Sequence, residues 1–167
     1  MIEPIVDFKN VKKQDAKLIR EIALDAWIDT YKPILSKEQL NYMFEKWYSI
    51  VELEKLIDSK EQIFTIAYYN KIAIGFAAYS IMETSKFKLN KIYVLTAYQG
   101  KKLGASLLIE IETVCKHNGA KILQLNVNRF NKAKDFYLAM GYKIIAEDDI
   151  PIGDYFMNDY IMEKNLE

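Results

Sequence analysis

The sequence is poor in the residues that build metal clusters and covalent cross-links. Its 167 residues include one cysteine, Cys115, and one histidine, His117. One cysteine excludes a disulfide within the chain and a metal site of the Cys-x-x-Cys kind. One histidine excludes histidine-based metal sites and most Ser-His-Asp chemistry. We therefore predict that the protein uses no metal. Cys115 shares a predicted helix face with Leu108, Ile111 and Val114, which predicts a buried core thiol; the alternative is a nucleophile.

Long apolar runs are also missing from the chain. No stretch approaches the ~20 apolar residues that a membrane-spanning helix needs. The first segment, MIEPIVDFKN, contains acidic residues and lacks the apolar run of a signal peptide. These absences predict a soluble, cytoplasmic protein that has no membrane partner.

An excess of charge of either sign is absent as well. Lysine plus arginine and aspartate plus glutamate both number 23, so the formal net charge is zero. A balanced charge does not favour a nucleic-acid partner, and any anion-binding site must be local. The apolar share of 51% is enough to build the core of one domain spanning residues 1–167.

Hydrophobic periodicity divides the chain into short strands and helices. Pro33 ends the first helical pattern, and Ser36 is the predicted N-cap of the second, with Gln39 three residues later. This order indicates a mixed α/β protein in which helices cover a single layer of sheet. The predicted strands span 2–11, 62–70, 71–83, 87–95, 121–128, 142–148 and 155–164. The predicted helices span 12–31, 36–50 with a short continuation at 51–59, 103–117 and 131–140.

A basic turn with two glycines precedes the helix that starts near Leu103. Gly100 and Gly104 flank Lys101 and Lys102 in this turn. It lacks the Gly-Lys-Ser/Thr of a nucleotide P-loop, and no Gly-x-Gly-x-x-Gly follows the first strand. The backbone N–H groups of residues 100–105, with the helix dipole behind them, suit a pyrophosphate. The alternative is an ordinary strand-to-helix turn with solvated lysines.

The segment NKAKDFYLAMGY, at 131–142, forms a second distinctive pattern. Ala133, Phe136, Tyr137 and Met140 share one face of the predicted helix, and Asn131 is its predicted N-cap. The alternative here is that Asn131 only caps the helix and Tyr137 only packs.

Together the two segments resemble the GNAT superfamily of acyl-CoA-dependent N-acetyltransferases, and the order of elements fits this family over essentially the whole chain. In the first family motif, an apolar-aromatic-Val strand end precedes Gln/Arg-x-x-Gly-x-Gly/Ala. The second contains Asn, Ala, Phe-Tyr and a final Gly-Tyr or Gly-Phe. The matching residues here are Ile92, Tyr93, Val94, Gln99 and Gly104 in the first motif, and Asn131, Ala133, Phe136, Tyr137, Gly141 and Tyr142 in the second.

Two positions depart from the family pattern. Lys102 stands where the first motif glycine is expected, although its backbone N–H remains. Related enzymes often carry a glutamate early on the motif strand, whereas this chain has lysines there and Glu83 is the nearest carboxylate. The general base is therefore left unassigned.

The resemblance implies an α/β (α+β) domain with a mixed, mostly antiparallel sheet of six to seven strands and about four helices. It implies acetyl-CoA as cosubstrate, transfer to a primary amine of a small molecule or polyamine, and Tyr137 as general acid. It also allows a homodimer. An acceptor on a peptide or protein, and a non-catalytic acyl-CoA-binding regulator, remain alternatives. Trp27 and Tyr31 are candidate acceptor contacts. The implied CoA-binding residues are Ile92, Tyr93, Val94, Gln99, Gly100, Lys101, Lys102, Leu103, Gly104, Ala105 and Asn131.

Overall fold

The computed structural model describes residues 5–167 and contains one seven-stranded sheet. Its spatial order is β1-β2-β3-β4-β5-β7-β6, and every neighbouring pair is antiparallel except β4 and β5. The predicted mixed, mostly antiparallel sheet is thus confirmed; of the predicted strand at 2–11, residues 2–4 lie outside the described part. The strands are β1 (Val6–Asn10), β2 (Ile63–Tyr69), β3 (Ile72–Glu83), β4 (Lys86–Val94), β5 (Ile122–Asn128), β6 (Lys143–Ile152) and β7 (Tyr155–Asn165).

In the described part of the chain, five α-helices cover the two faces of the sheet. The first three pack on one face around Trp27 and Phe76, and the last two pack on the other face with Leu107 and Leu125. None of the helices in residues 5–167 is long and apolar enough to cross a membrane. The helices are α1 (Ala16–Tyr31), α2 (Lys37–Tyr48), α3 (Ile50–Ser59), α4 (Leu103–His117) and α5 (Ala133–Ala139).

Capping side chains decide where several helices begin. The Ser36 hydroxyl accepts a hydrogen bond from the Gln39 N–H at 3.1 Å, as predicted. Ser49 adopts an extended conformation and caps α3 in the same way, so α2 and α3 are separate helices. The predicted cap at Asn131 is displaced by one residue. Lys132 is the N-cap of α5, and the Asn131 side-chain oxygen accepts from the N–H of Ala133 at 2.9 Å.

The sheet opens between its two parallel strands. β4 and β5 pair only where Lys86–Leu89 faces Ile122–Leu125. Both strands continue past this ladder, β4 to Val94 and β5 to Asn128, without pairing to each other. The backbone edge of β4 that faces β5 is therefore not used by the sheet beyond Leu89.

A one-residue bulge interrupts β4 where the two strands begin to separate. Across β3, Tyr79 pairs with Leu89 and Ala78 pairs with Lys91, so Asn90 has no partner. An extra residue in one strand shifts the alternation of the side chains that follow it. The bulge consequently turns Lys91 and Tyr93 toward the face covered by α1–α3.

Candidate active site

A cleft of about 1310 Å³ occupies the gap between the separated strands. Its walls come from the end of α1, the second half of β4, the turn before α4, the end of β5, and α5 with the residues that lead into it. Many of the sequence-predicted site residues line it. These are Tyr31, Ile92, Tyr93, Val94, Gln99, Gly100, Lys102, Gly104, Ala105, Asn131 and Tyr137.

Lys101 and Leu103 do not line the cleft. The Lys101 side chain is exposed, and its ammonium group lies 5.4 Å from the centroid of the Tyr98 ring. The Leu103 side chain is buried in the core beside α4, so its backbone alone remains available to a ligand. The CoA-binding roles of both residues stay predictions.

The turn before α4 combines two left-handed residues with an uncapped helix end. Gly100 has φ of 77° and Lys102 has φ of 62°. Lys102 is the N-cap, and its side chain makes no capping hydrogen bond to the first turn of the helix. The first N–H groups of a helix have no partner within it, so this end attracts an anion. A β-carbon added at Gly104 would meet only Val94 Cγ2, at 3.9 Å.

The backbone conformation of Lys102 explains why the family motif has a glycine at this position. A left-handed conformation costs a residue with a β-carbon roughly 1–2 kcal/mol, whereas glycine adopts it freely. Lys102 keeps the left-handed turn and bears that strain. The Gln99 side chain ties the turn to β4 by donating to the Val94 carbonyl at 3.1 Å.

Tyr137 lies on α5 against the cleft. Its ring stands edge-on to those of Phe136 and Tyr142, with centroids 5.3 and 5.8 Å away. Burial raises the pKa of the Tyr137 hydroxyl above its ordinary value, so this hydroxyl keeps its proton at neutral pH. A protonated phenol beside the cleft is able to donate a hydrogen bond or a proton.

A second, smaller cavity of about 320 Å³ adjoins the cleft where β4 and β5 separate. Trp27 and Trp47 line it on one side, and Met157 and Asp159 line it on another. Of the predicted acceptor contacts, Trp27 lines this cavity alone and Tyr31 lines both spaces. The residues shared by the cleft and the small cavity are Tyr31, Leu89, Asn90, Lys91, Tyr93 and Asn126.

Three tyrosines line the small cavity, of which Tyr31 and Tyr48 are buried and Tyr93 is half-buried. Burial raises the pKa values of Tyr31, Tyr48 and Tyr93 above the ordinary tyrosine value. The Tyr93 ring centroid lies 6.2 Å from that of Tyr48. Neutral hydroxyls and aromatic faces therefore form much of the wall around any molecule bound here.

Lys91 was not singled out by the sequence analysis, which grouped it with the other lysines of its strand. Its ammonium nitrogen donates to Gln62 Oε1 at 2.6 Å and lies 5.7 Å from the ring centroids of Tyr48 and Phe64. Burial lowers the pKa of Lys91 to about 8. The bulge at Asn90, which no pattern in the sequence reveals, places this lysine in the wall of the small cavity.

Asp159 is the other residue that sequence reasoning missed. It lies on β7, is 6% exposed, and faces Asn128 across β5. Burial raises the pKa of its carboxyl to about 6. In an alternating polar and apolar strand, an aspartate is read as solvent-facing, and only the cover of α1–α3 makes it buried.

No group of three or more His, Cys, Asp or Glu side chains that could hold a metal ion occurs within residues 5–167.

Comparison with known proteins matches this architecture to one family. The family model described as an acetyltransferase (GNAT) domain matches residues 31–151. The spermidine N(1)-acetyltransferase of Thermoplasma acidophilum is 28% identical over 167 residues, covering 97% of this chain and 98% of that protein.

Solved structures give the same result. The PaiA N-acetyltransferase from Thermoplasma acidophilum, crystallised in complex with coenzyme A, superposes with a TM-score of 0.82 at 29% identity over 96% of this chain and 99% of that chain. A GCN5-related N-acetyltransferase from Rhodopseudomonas palustris superposes with a TM-score of 0.84 at 19% identity, covering 99% and 98% of the two chains. The second likeness establishes the fold alone.

Proposed function

Because the chain belongs to the GNAT acetyltransferases, we propose that it transfers the acetyl group of acetyl-CoA to the primary amine of a small molecule or polyamine, by direct attack in a ternary complex. The observation that carries this proposal is the cleft between β4 and β5. It brings an uncapped helix end, an open strand edge and the Tyr137 phenol to one space.

The cleft suits the parts of CoA in order along its length. The pyrophosphate binds the N–H groups of residues 99–105, where the α4 dipole and Lys102 add positive potential. The amides of the pantetheine arm pair with the free edge of Ile92–Val94 as an added strand would. Asn131 contacts the CoA arm from the opposite wall.

The charges on the amine, the carbonyl oxygen and the leaving sulfur determine which proton transfers the reaction needs. An alkylammonium with an ordinary pKa of about 10.4 must lose a proton before it attacks the thioester carbonyl. The attack forms the C–N bond and places negative charge on the carbonyl oxygen, which the backbone N–H near Val94 stabilises. The C–S bond then breaks, and Tyr137 donates a proton to the leaving sulfur.

Two observations support a small amine or polyamine as the acceptor: the name of a similar protein and the size of the small cavity. The similar protein from Thermoplasma acidophilum is named a spermidine N(1)-acetyltransferase, which supports a polyamine. The small cavity holds about 320 Å³, which fits an aliphatic amine chain. A peptide or protein amine is the second candidate, because the cleft opens onto the exposed Phe130, 71% accessible. A homodimer stays a prediction implied by the family.

An amine panel tests the proposal. The purified protein is incubated with acetyl-CoA and, separately, spermidine, putrescine, butylamine, lysine and a lysine-containing peptide, with and without a chelator. Thiol release is followed by a thiol reagent and the product mass is measured. Cys115 is buried and burial raises its pKa to about 12, so the reagent reports CoA alone.

We expect release with a polyamine or small amine, unchanged by the chelator. Tight CoA binding without transfer to any of these amines would instead identify an acyl-CoA-binding regulator. Loss of transfer in chelator with recovery in zinc would contradict a metal-free reaction.

A further inference from the structure

The small cavity contains a buried carboxylate without a charged partner. Within residues 5–167 the Asp159 carboxylate accepts one long hydrogen bond, from Nδ2 of Asn126 at 3.4 Å, and forms no ion pair. Burying an ionised group that has no partner lowers the stability of the folded protein. A bound cation would supply the missing partner.

Two amide oxygens at the same place lack hydrogen-bond partners. Oδ1 of Asn90 and Oδ1 of Asn126 are both buried and unpaired among the described residues. Asn90 is the bulged residue of β4, and both side chains line the cleft as well as the small cavity. An unpaired buried acceptor destabilises the fold, and a donor from a bound molecule offsets that cost.

The three unmatched groups fit one kind of ligand head. An alkylammonium carries three N–H donors and no acceptor, and the wall offers one carboxylate and two amide oxygens. One further buried atom of this cavity, Nε1 of Trp27, has no partner among the described residues; it is a donor, so an ammonium leaves it unpaired. The bound nitrogen would lie at the junction with the cleft, beside Tyr93 and the edge of β4.

We propose that Asp159 is the catalytic base of this protein, and that its carboxylate receives the acceptor's ammonium group together with the side-chain oxygens of Asn90 and Asn126. The proposal rests on the proposed acetyl transfer and supplies the base that the first half of β4 lacks. The carboxylate takes one N–H proton, and the neutral amine attacks the thioester carbonyl carbon. The nitrogen loses its second proton after attack, and this proton replaces the one that Tyr137 gives to the CoA sulfur. One proton per turnover then leaves Asp159 for solvent.

The charges around the carboxylate suit this role. Lys88 of β4 and Arg129 after β5 favour its ionised form, Asp148 of β6 opposes it, and its own charge raises the pKa of Tyr31 on α1. Burial outweighs the two cations and holds the carboxyl pKa near 6, so the base is ionised yet more basic than an exposed aspartate at pH 7. Lys91 and Lys88 also line the cavity, and their positive charge makes a bound ammonium easier to deprotonate.

The decisive variant is Asp159→Asn, which keeps the shape and removes the charge. The matched control is Asp148→Asn, which removes an exposed carboxylate directly opposite on β6. We expect Asp159→Asn to lower kcat at pH 7 by roughly 10²–10⁴-fold with unchanged CoA affinity. The wild-type kcat/KM should fall below a pH near 6, and that of Asp148→Asn should fall at a slightly lower pH, because this change removes a charge that opposes ionisation of Asp159. The kcat/KM of Asp159→Asn should show no such acid limb and should follow the free-amine fraction alone. A folded Asp159→Asn variant within threefold of wild type, with the same limb, would overturn the proposal.

A second measurement separates this proposal from the transfer reaction. Carbon-13 NMR of labelled aspartate follows the Asp159 carboxyl in the wild-type protein with CoA, before and after butylamine is added. Ammonium binding should lower the pKa of that carboxyl below its starting value. If no amine is acetylated but the pKa falls, the proposed function fails and the ammonium site stands. An unchanged pKa with saturating butylamine would overturn the site itself.

Discussion

Leu89 and Lys91 are two residues apart on β4, yet their side chains pack on opposite faces of the sheet. Leu89 belongs to the core beside α4, whereas Lys91 reaches Gln62 and the rings beneath α1–α3. In a regular strand, residues two apart share a face, so the bulge at Asn90 causes the reversal. One strand thereby supplies an edge to the cleft and side chains to the small cavity.

Gly104 tests the phosphate end of the cleft. Gly104→Glu places a carboxylate beside the proposed pyrophosphate site, and like charges in contact cost several kcal/mol. We expect the CoA dissociation constant from isothermal titration to rise by at least about 10²-fold. Gly104→Ala is the control, because its β-carbon meets only Val94 Cγ2 at 3.9 Å and should leave affinity within about fivefold. Unchanged affinity in a folded Gly104→Glu protein would place CoA elsewhere.

Tyr137→Phe removes one hydroxyl from the cleft and keeps the ring. If this hydroxyl protonates the leaving sulfur, kcat at saturating acetyl-CoA and amine should fall by roughly 10²–10⁴-fold, with nearly unchanged CoA affinity. Tyr160→Phe makes the same change on β7, where the hydroxyl has no proposed role. A fall of less than threefold for Tyr137→Phe would show that this residue only packs.

Lys102→Gly restores a glycine at a left-handed position. Relief of the strain outweighs the added chain entropy of glycine, so we expect the free energy of unfolding to rise by about 0.5–1 kcal/mol. Lys101→Gly is the control of opposite sign, because Lys101 is not among the positive-φ residues and glycine there only adds entropy to the unfolded chain. Urea titrations of both variants measure the difference, and equal shifts would show that Lys102 bears no strain.

Asp159→Asn should stabilise the protein in a defined pH range. The folded-state carboxyl pKa is raised from 3.8 to about 6, so the folded protein holds this proton more tightly than the unfolded chain does. Wild-type stability therefore falls as pH rises from about 4 to 6, by up to about 3 kcal/mol from this group. The Asp159→Asn variant does not lose this stability, so its free energy of unfolding should exceed that of the wild type at pH 7 but not at pH 4. Equal differences at both pH values, measured by urea unfolding, would contradict a buried ionised Asp159.

The amino-acid sequence by itself determined the fold class and the proposed CoA side of the site. The helices follow from local spacing and caps such as Ser36, and residues 92–105 and 131–142 each carry their pattern within one short segment. Contiguous segments predict well because turn, cap and strand end are local properties of the chain.

Only the tertiary structure determined which residues form the proposed acceptor side of the site. Asp159 and Asn90 lie 69 positions apart in the chain, and no local spacing relates them. Asp159 is buried because α1–α3 cover its face of the sheet, and burial is what raises its pKa. Lys91 faces the small cavity because a bulge at Asn90 changes the alternation of β4, and pairing with β3 creates that bulge. Residues brought together by sheet pairing and helix cover leave no periodic signal, since the free energy of such contacts depends on the whole fold.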